Sequence, residues 1–76
     1  MSIFISIDPG SKKCGLLLAD MKSGNVIEAG ISSLNRFSDL VSLWNEDYNI
    51  SKIIIGDGTN CKFIENELNQ KNISNF

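Results

Sequence analysis

The stretch Ile5-Ser6-Ile7-Asp8-Pro9-Gly10-Ser11-Lys12-Lys13-Cys14-Gly15-Leu16-Leu17-Leu18-Ala19-Asp20 decides how this chain folds. Residues Ser2 to Ile7 alternate and are β-branched, so they predict a strand with Ile3, Ile5 and Ile7 on one face. Asp8-Pro9-Gly10 ends it, because proline cannot extend a ladder and glycine permits the turn. Lys12 and Lys13 follow in the loop. Cys14 to Ala19 is almost wholly apolar and predicts a second strand covered on both faces.

Working outward, Asp20 to Asn25 reads as a turn and Val26 to Ser32 as a third strand, completing an antiparallel meander. Asp20 reads as structural, at the far end of a hairpin, and Glu28 as pointing outward. Asn35 is a plausible N-cap. Phe37, Leu40, Val41 and Trp44 lie at i, i+3, i+4 and i+7, one face of a helix. Asp47 to Ser51 connects to a short strand, Lys52 to Ile55. Gly56-Asp57-Gly58-Thr59 is the loop at its carboxyl end. A second helix runs from about Asn60 to Lys71, capped by Thr59 or Asn60, with Ile64 and Leu68 inward and Cys61 and Phe63 beside them. Ile73 to Phe76 reads as the start of another strand. The fold class is therefore α/β, a three-stranded meander followed by α-β-α. A crossover through the first helix lays strand 4 parallel to an earlier strand.

Composition narrows the function. The chain has 76 residues, 42% of them hydrophobic and 21% charged, which suits a small globular domain. A net charge of −2 argues against a strongly basic, nonspecific nucleic-acid or membrane binder. No apolar run approaches the roughly 20 residues of a membrane span, and no leader is evident, so a cytoplasmic location is expected. There is no histidine, which excludes Ser-His-Asp and Cys-His catalysis. The two cysteines, Cys14 and Cys61, read as small core side chains rather than a zinc site or disulfide framework. Acid–base or metal chemistry must rest on carboxylates.

Two carboxylates qualify. Asp8 ends strand 1 and Asp57 follows strand 4. If those strands are neighbours, their carboxyl ends stand ~4.8 Å apart. Such a pair repels unless a cation neutralises it, and Mg²⁺ accepts a few carboxylates plus water. Open α/β sheets bind ligands outside these same strand ends. Lys12 and Lys13 could hold a phosphate backbone there, and the helix start at Thr59 could attract an anion. Both acidic tripeptides are also ordinary turn sequences, which explains them without a metal. No GxxxxGK[ST] or GxGxxG loop is present.

Ile5 to Asp20 resembles the opening hairpin of the YqgF/RuvC group of RNase H-like nucleases, with its strand, Asp-Pro-Gly, polar residues, glycine and second strand. Ile53-Ile54-Ile55-Gly56-Asp57-Gly58-Thr59 resembles the fourth-strand motif of YqgF-like domains. The resemblance implies an RNase H-like fold with strand order 3-2-1-4-5. It implies Mg²⁺- or Mn²⁺-dependent phosphodiester hydrolysis on structured DNA or RNA, such as Holliday junctions or precursor ribosomal RNA, and a homodimer by precedent. Asp8 matches the family's first metal ligand. Asp57 is the near match to a glutamate at the end of strand 4. Domains of that family add a fifth strand and a later helix that supply the other carboxylates. The resemblance thus makes residues 1–76 a single domain, incomplete before strand 5. Two alternatives compete: a noncatalytic RNase H-like binding module, and the amino-terminal piece of an actin-like or sugar-kinase ATPase. Pro9 between Asp8 and Gly10 favours the nuclease group over the ATPases.

Overall fold

A computed structural model describes residues 2–58 and 60–76. The elements are β1 (Ile3–Pro9), β2 (Lys13–Asp20), β3 (Val26–Ser33), α1 (Phe37–Asp47), β4 (Ile50–Ile55) and α2 (Cys61–Gln70). The strands form one mixed sheet in the order β3-β2-β1-β4. β1 pairs antiparallel with β2 and β2 with β3, while β4 lies parallel to β1. The expected β-β-β-α-β-α order and the parallel β1–β4 pair are present. β1 runs through Asp8 and Pro9, two residues past the expected end, because both stay in register with β2.

Both helices pack on one face of the sheet. Ile3, Ile5 and Ile7 of β1, Leu16 and Leu18 of β2 and Ile53 of β4 meet Phe37, Val41 and Trp44 of α1 and Ile64 and Leu68 of α2 in a single buried cluster. The opposite face is largely uncovered, contrary to the expectation for β2, although Ala19 on it is only 3% exposed. Leu17 is only half-buried there, Ile54 is 40% exposed and Ile31 is 78% exposed. A run of apolar residues was compatible with two covers, but both crossing helices lie on the same side.

The edges of that core differ from the sequence reading in four places. First, Arg36, not Asn35, occupies the N-cap of α1, and no side chain caps it. The first turn is closed instead by backbone bonds, Arg36 N–H to Ser33 O at 3.1 Å and Asp39 N–H to Arg36 O at 3.1 Å, which satisfy otherwise orphaned donors. Second, Glu28 is exposed, as expected, but stands on the helix side of edge strand β3. It lies opposite Leu18 and accepts a 2.5 Å hydrogen bond from the Trp44 indole. The buried ring needs a partner for its N–H, and Glu28 is in reach. Third, Cys14 is core, but Cys61 is half-buried and donates to Glu65 Oε2 at 3.3 Å. That bond, then burial, pushes the Cys61 thiol up, with further help from the charges of Glu65 and Asp57. Phe63 beside it is 39% exposed.

Fourth, residues 73–76 do not form a strand. Asn72 adopts φ 62°, a left-handed conformation that asparagine tolerates. The N–H of Ile73 then bonds Leu68 O at 2.9 Å and that of Asn72 bonds Asn69 O at 3.0 Å. This is a Schellman ending, with buried Ile73 packed alongside buried Leu68 in one cluster. Beyond it, Ile53 N–H bonds Asn75 O at 2.8 Å, but the next contact, to Ile50 O at 3.1 Å, comes from the Asn75 side chain. A ladder needs backbone groups at both positions.

Candidate functional site

The carboxyl ends of β1 and β4 lie side by side, as the Asp8–Asp57 hypothesis required. Gly56 N–H bonds Ile7 O at 2.9 Å and carries the pairing one step past β4. The two loops beyond are packed tightly together. A Cβ on Gly58 would stand 3.1 Å from Pro9 O and 3.3 Å from Pro9 Cβ. Gly10 closes the β1–β2 turn by donating to Lys13 O at 2.8 Å, and a Cβ there would meet that oxygen at 2.5 Å. Asn60 occupies the N-cap of α2 but makes no side-chain cap bond. Its Nδ2 donates across to Gly10 O at 2.6 Å, clamping one loop to the other. Gly10 and Gly58 are thus explained by close packing at this end of the sheet, whereas a Cβ on Gly56 would meet its nearest neighbours at an ordinary 3.6 Å.

The two aspartates do not converge. Strand alternation puts Asp8 on the uncovered face with Phe4 and Ser6, where it borders a shallow hollow of about 460 Å³ with Gly15, Leu17 and Ala29. Its Oδ1 leans toward β4, 3.8 Å from where a Cβ on Gly56 would be. The β4 position facing Asp8 is therefore Gly56, which has no side chain. Asp57 turns to the helix side and borders a second hollow, of about 440 Å³, with Ile53, Ile55, Cys61, Glu65 and Phe76. Among the described residues, no group of three or more carboxylate, thiol or imidazole side chains stands together to hold a metal ion. No ion pair reaches Asp8 among them either; the pair present joins Lys71 to Asp39 at 2.9 Å.

Lys12 and Lys13 are exposed. Lys12 O accepts from Leu34 N–H at 3.3 Å, which ties the β1–β2 loop to the end of β3. Lys13 begins β2 on the same face as Asp8, two residues from Gly15. Thr59, the remaining candidate, lies outside the described residues.

The uncovered face carries a pattern that sequence reading missed. Pairing register sorts it into three rows across β4, β1, β2 and β3. The middle row is Ile54, Ser6, Leu17 and Ala29. Toward the carboxyl end of β1 the row is Gly56, Asp8, Gly15 and Ile31; toward its amino end it is Lys52, Phe4, Ala19 and Val26. The signal was available in the alternation of β1, but it needed the pairing register, which depends on a bulge in β3 opposite Leu18 and Ala19.

No helix among the described residues is long and apolar enough to cross a membrane. No family model, no curated protein and no solved structure matches this chain.

Proposed function

We propose that this chain is a noncatalytic RNase H-like interaction module of the YqgF/RuvC kind. The observation that carries the reading is the divergence of Asp8 and Asp57 to opposite sides of the sheet, with Asp8 on an uncovered, largely apolar face. Two-metal phosphodiester chemistry needs ions ~3.5–4 Å apart, shared by converging oxygens. Among the described residues Asp8 and Asp57 border different hollows rather than converging on such a pair of ions, which supports the noncatalytic reading. What the chain supplies is a rigid sheet end, fixed by the Asn60 clamp and the Gly58–Pro9 packing, and an apolar surface able to bury a partner.

A second reading is favoured by one observation. Asp8 sits exposed at the carboxyl end of a central strand paired in parallel, with Lys12 and Lys13 in the adjoining loop. That placement supports a Mg²⁺- or Mn²⁺-dependent nuclease of branched DNA or structured RNA, with Asp8 as ligand and the lysines on phosphate. A nicking assay on a four-way DNA junction and a folded RNA, with Mn²⁺, decides between them. No cleavage above that of Asp8→Asn is expected. Mn²⁺-dependent nicking lost in Asp8→Asn overturns the noncatalytic reading and establishes the nuclease.

A further inference from the structure

We infer that residues 73–76 guard the free edge of β4, and that their hold on it depends on Asn75. The inference concerns the folded chain itself and stands whether or not the chain cleaves nucleic acid.

β4 is an outer strand of the sheet, with β1 on one side of it. Its sequence, Ile50-Ser51-Lys52-Ile53-Ile54-Ile55, holds four isoleucines, one charge and neither glycine nor proline. Segments of ~6–7 residues with high β-propensity and low charge are the ones that stack into cross-β assemblies. An open edge on such a strand is a template for any extended segment that meets it. Gly56 N–H bonds Ile7 O, so by alternation Gly56, Ile54 and Lys52 turn their backbone groups toward β1. Those of Ile53 and Ile55 therefore face away from the sheet.

Residues 73–76 lie along that side. The left-handed Asn72 turns the chain back from α2, and Ile73, 3% exposed, anchors it in the core. Asn75 then reaches β4 twice. Its carbonyl accepts from Ile53 N–H at 2.8 Å, and its Nδ2 donates to Ile50 O at 3.1 Å. One residue thus covers the strand from Ile50 to Ile53, and what is left open beyond is shorter than the segments that stack. A full strand in this place would cover β4 but present a new row of free backbone groups. An asparagine side chain standing in for a backbone donor covers the edge without moving it outward. Beyond Ile73 the segment is exposed and these two bonds hold it. A segment held so lightly opens locally, with the rest of the fold intact.

Amide hydrogen exchange and thioflavin T fluorescence test the inference. In the wild type, Ile53 N–H is protected although it faces away from the sheet, and no fibres form on agitation. Asn75→Ala removes the bond to Ile50 O. Ile53 N–H then exchanges about fivefold faster or more, Ile54 N–H, which faces β1, does not change, and fibres form. Ile54 is 40% exposed on the open face, so Ile54→Lys adds a charge to the strand without touching the contacts of Asn75. Combined with Asn75→Ala, it keeps the fast exchange at Ile53 and abolishes the fibres. An unchanged Ile53 rate in Asn75→Ala overturns the proposal, because Asn75 then does not hold the segment. Equal acceleration at Ile53 and Ile54 overturns it too, because the whole fold is then opening. Fast exchange at Ile53 alone with no fibres also overturns it: the segment opens but guards nothing.

Discussion

On the helix side of the sheet, β1 places Ile3, Ile5 and Ile7, all at 3% exposure or less. On the other side the same strand places Phe4, Ser6 and Asp8, half-buried or exposed. β2 repeats the division, with Leu16 and Leu18 inward and Gly15 and Leu17 outward. Alternate residues along one backbone thus have separate tasks. The inner set binds the helices and supplies the stability of a small domain. The outer set leaves apolar side chains such as Ile31 and Ile54 exposed and carries only three charges in its rows and their margin, Asp8, Lys13 and Lys52. On the proposed reading, stability and interaction can therefore be altered independently by choosing inward or outward positions within each strand.

The largest test of that division is a paired substitution. Phe37→Ala empties the centre of the helix side, where the ring is fully buried, and should cost about 3–5 kcal/mol. A domain of this size holds roughly 4–11 kcal/mol in all, so the variant should be close to unfolding. Ile31→Ser on the outer face should change the stability of dilute protein by less than about 0.5 kcal/mol. Urea unfolding at low concentration checks both. A large loss in Ile31→Ser would mean that the outer face is already covered in dilute solution, and the contrast between faces would fail.

A smaller effect probes the border of the covered face. Glu28 of edge strand β3 satisfies the Trp44 indole at the rim of the core. Glu28→Leu removes the acceptor and leaves the N–H without its partner, at a cost of about 1–3 kcal/mol. Glu28→Gln keeps an acceptor and should lose less. Equal losses in the two variants, read from urea unfolding, would show that the charge rather than the hydrogen bond matters and would move Glu28 out of the covered side.

Much of this arrangement was legible in the residues. Alternation in β1 and the i, i+3, i+4, i+7 stripe of α1 identified the inner face, because both express burial against one partner. Asp8-Pro9-Gly10 and Gly56-Asp57-Gly58 located the strand ends, since turn chemistry is local. What was not legible depended on contacts distant in sequence. The apolar run of β2 could not report how many faces are covered. Asn60 reads as a cap, yet its amide is taken by Gly10 O, 50 residues away. Glu28 reads as a solvated strand residue and is exposed, but only the register shows that it also meets Trp44. Asp8 and Asp57 share an end of the sheet but not a side of it, because one residue past Ile55 the position facing Asp8 is a glycine. The left-handed Asn72 that turns the chain at the end of α2 is a local feature, but asparagine is common outside helices and gave no unique signal.

The smallest effect compares two aspartates at opposite ends of the β1–β2 hairpin. Asp8 is in no ion pair among the described residues, whereas Asp20 organises its turn. Asp20 accepts from Lys22 N–H at 3.2 Å, the Ser23 hydroxyl at 3.0 Å and Ser2 N–H at 3.3 Å. The Lys22 bond, then the Ser23 bond, hold its carboxyl below the usual carboxylate range. A group whose folded pKa is depressed stabilises the fold above its unfolded value and loses that contribution as pH falls through the folded value. Asp20→Asn keeps an oxygen acceptor but not the charge, so it should be slightly less stable than wild type near neutral pH. The two stability curves should converge as the pH falls below the usual carboxylate range. Parallel curves for Asp20→Asn down to acid would mean that the turn is held by its backbone bond, Gly24 N–H to Asp20 O at 2.9 Å, and not by the carboxylate. The contrast between an aspartate used for folding and one in no ion pair among the described residues would then rest on Asp8 alone.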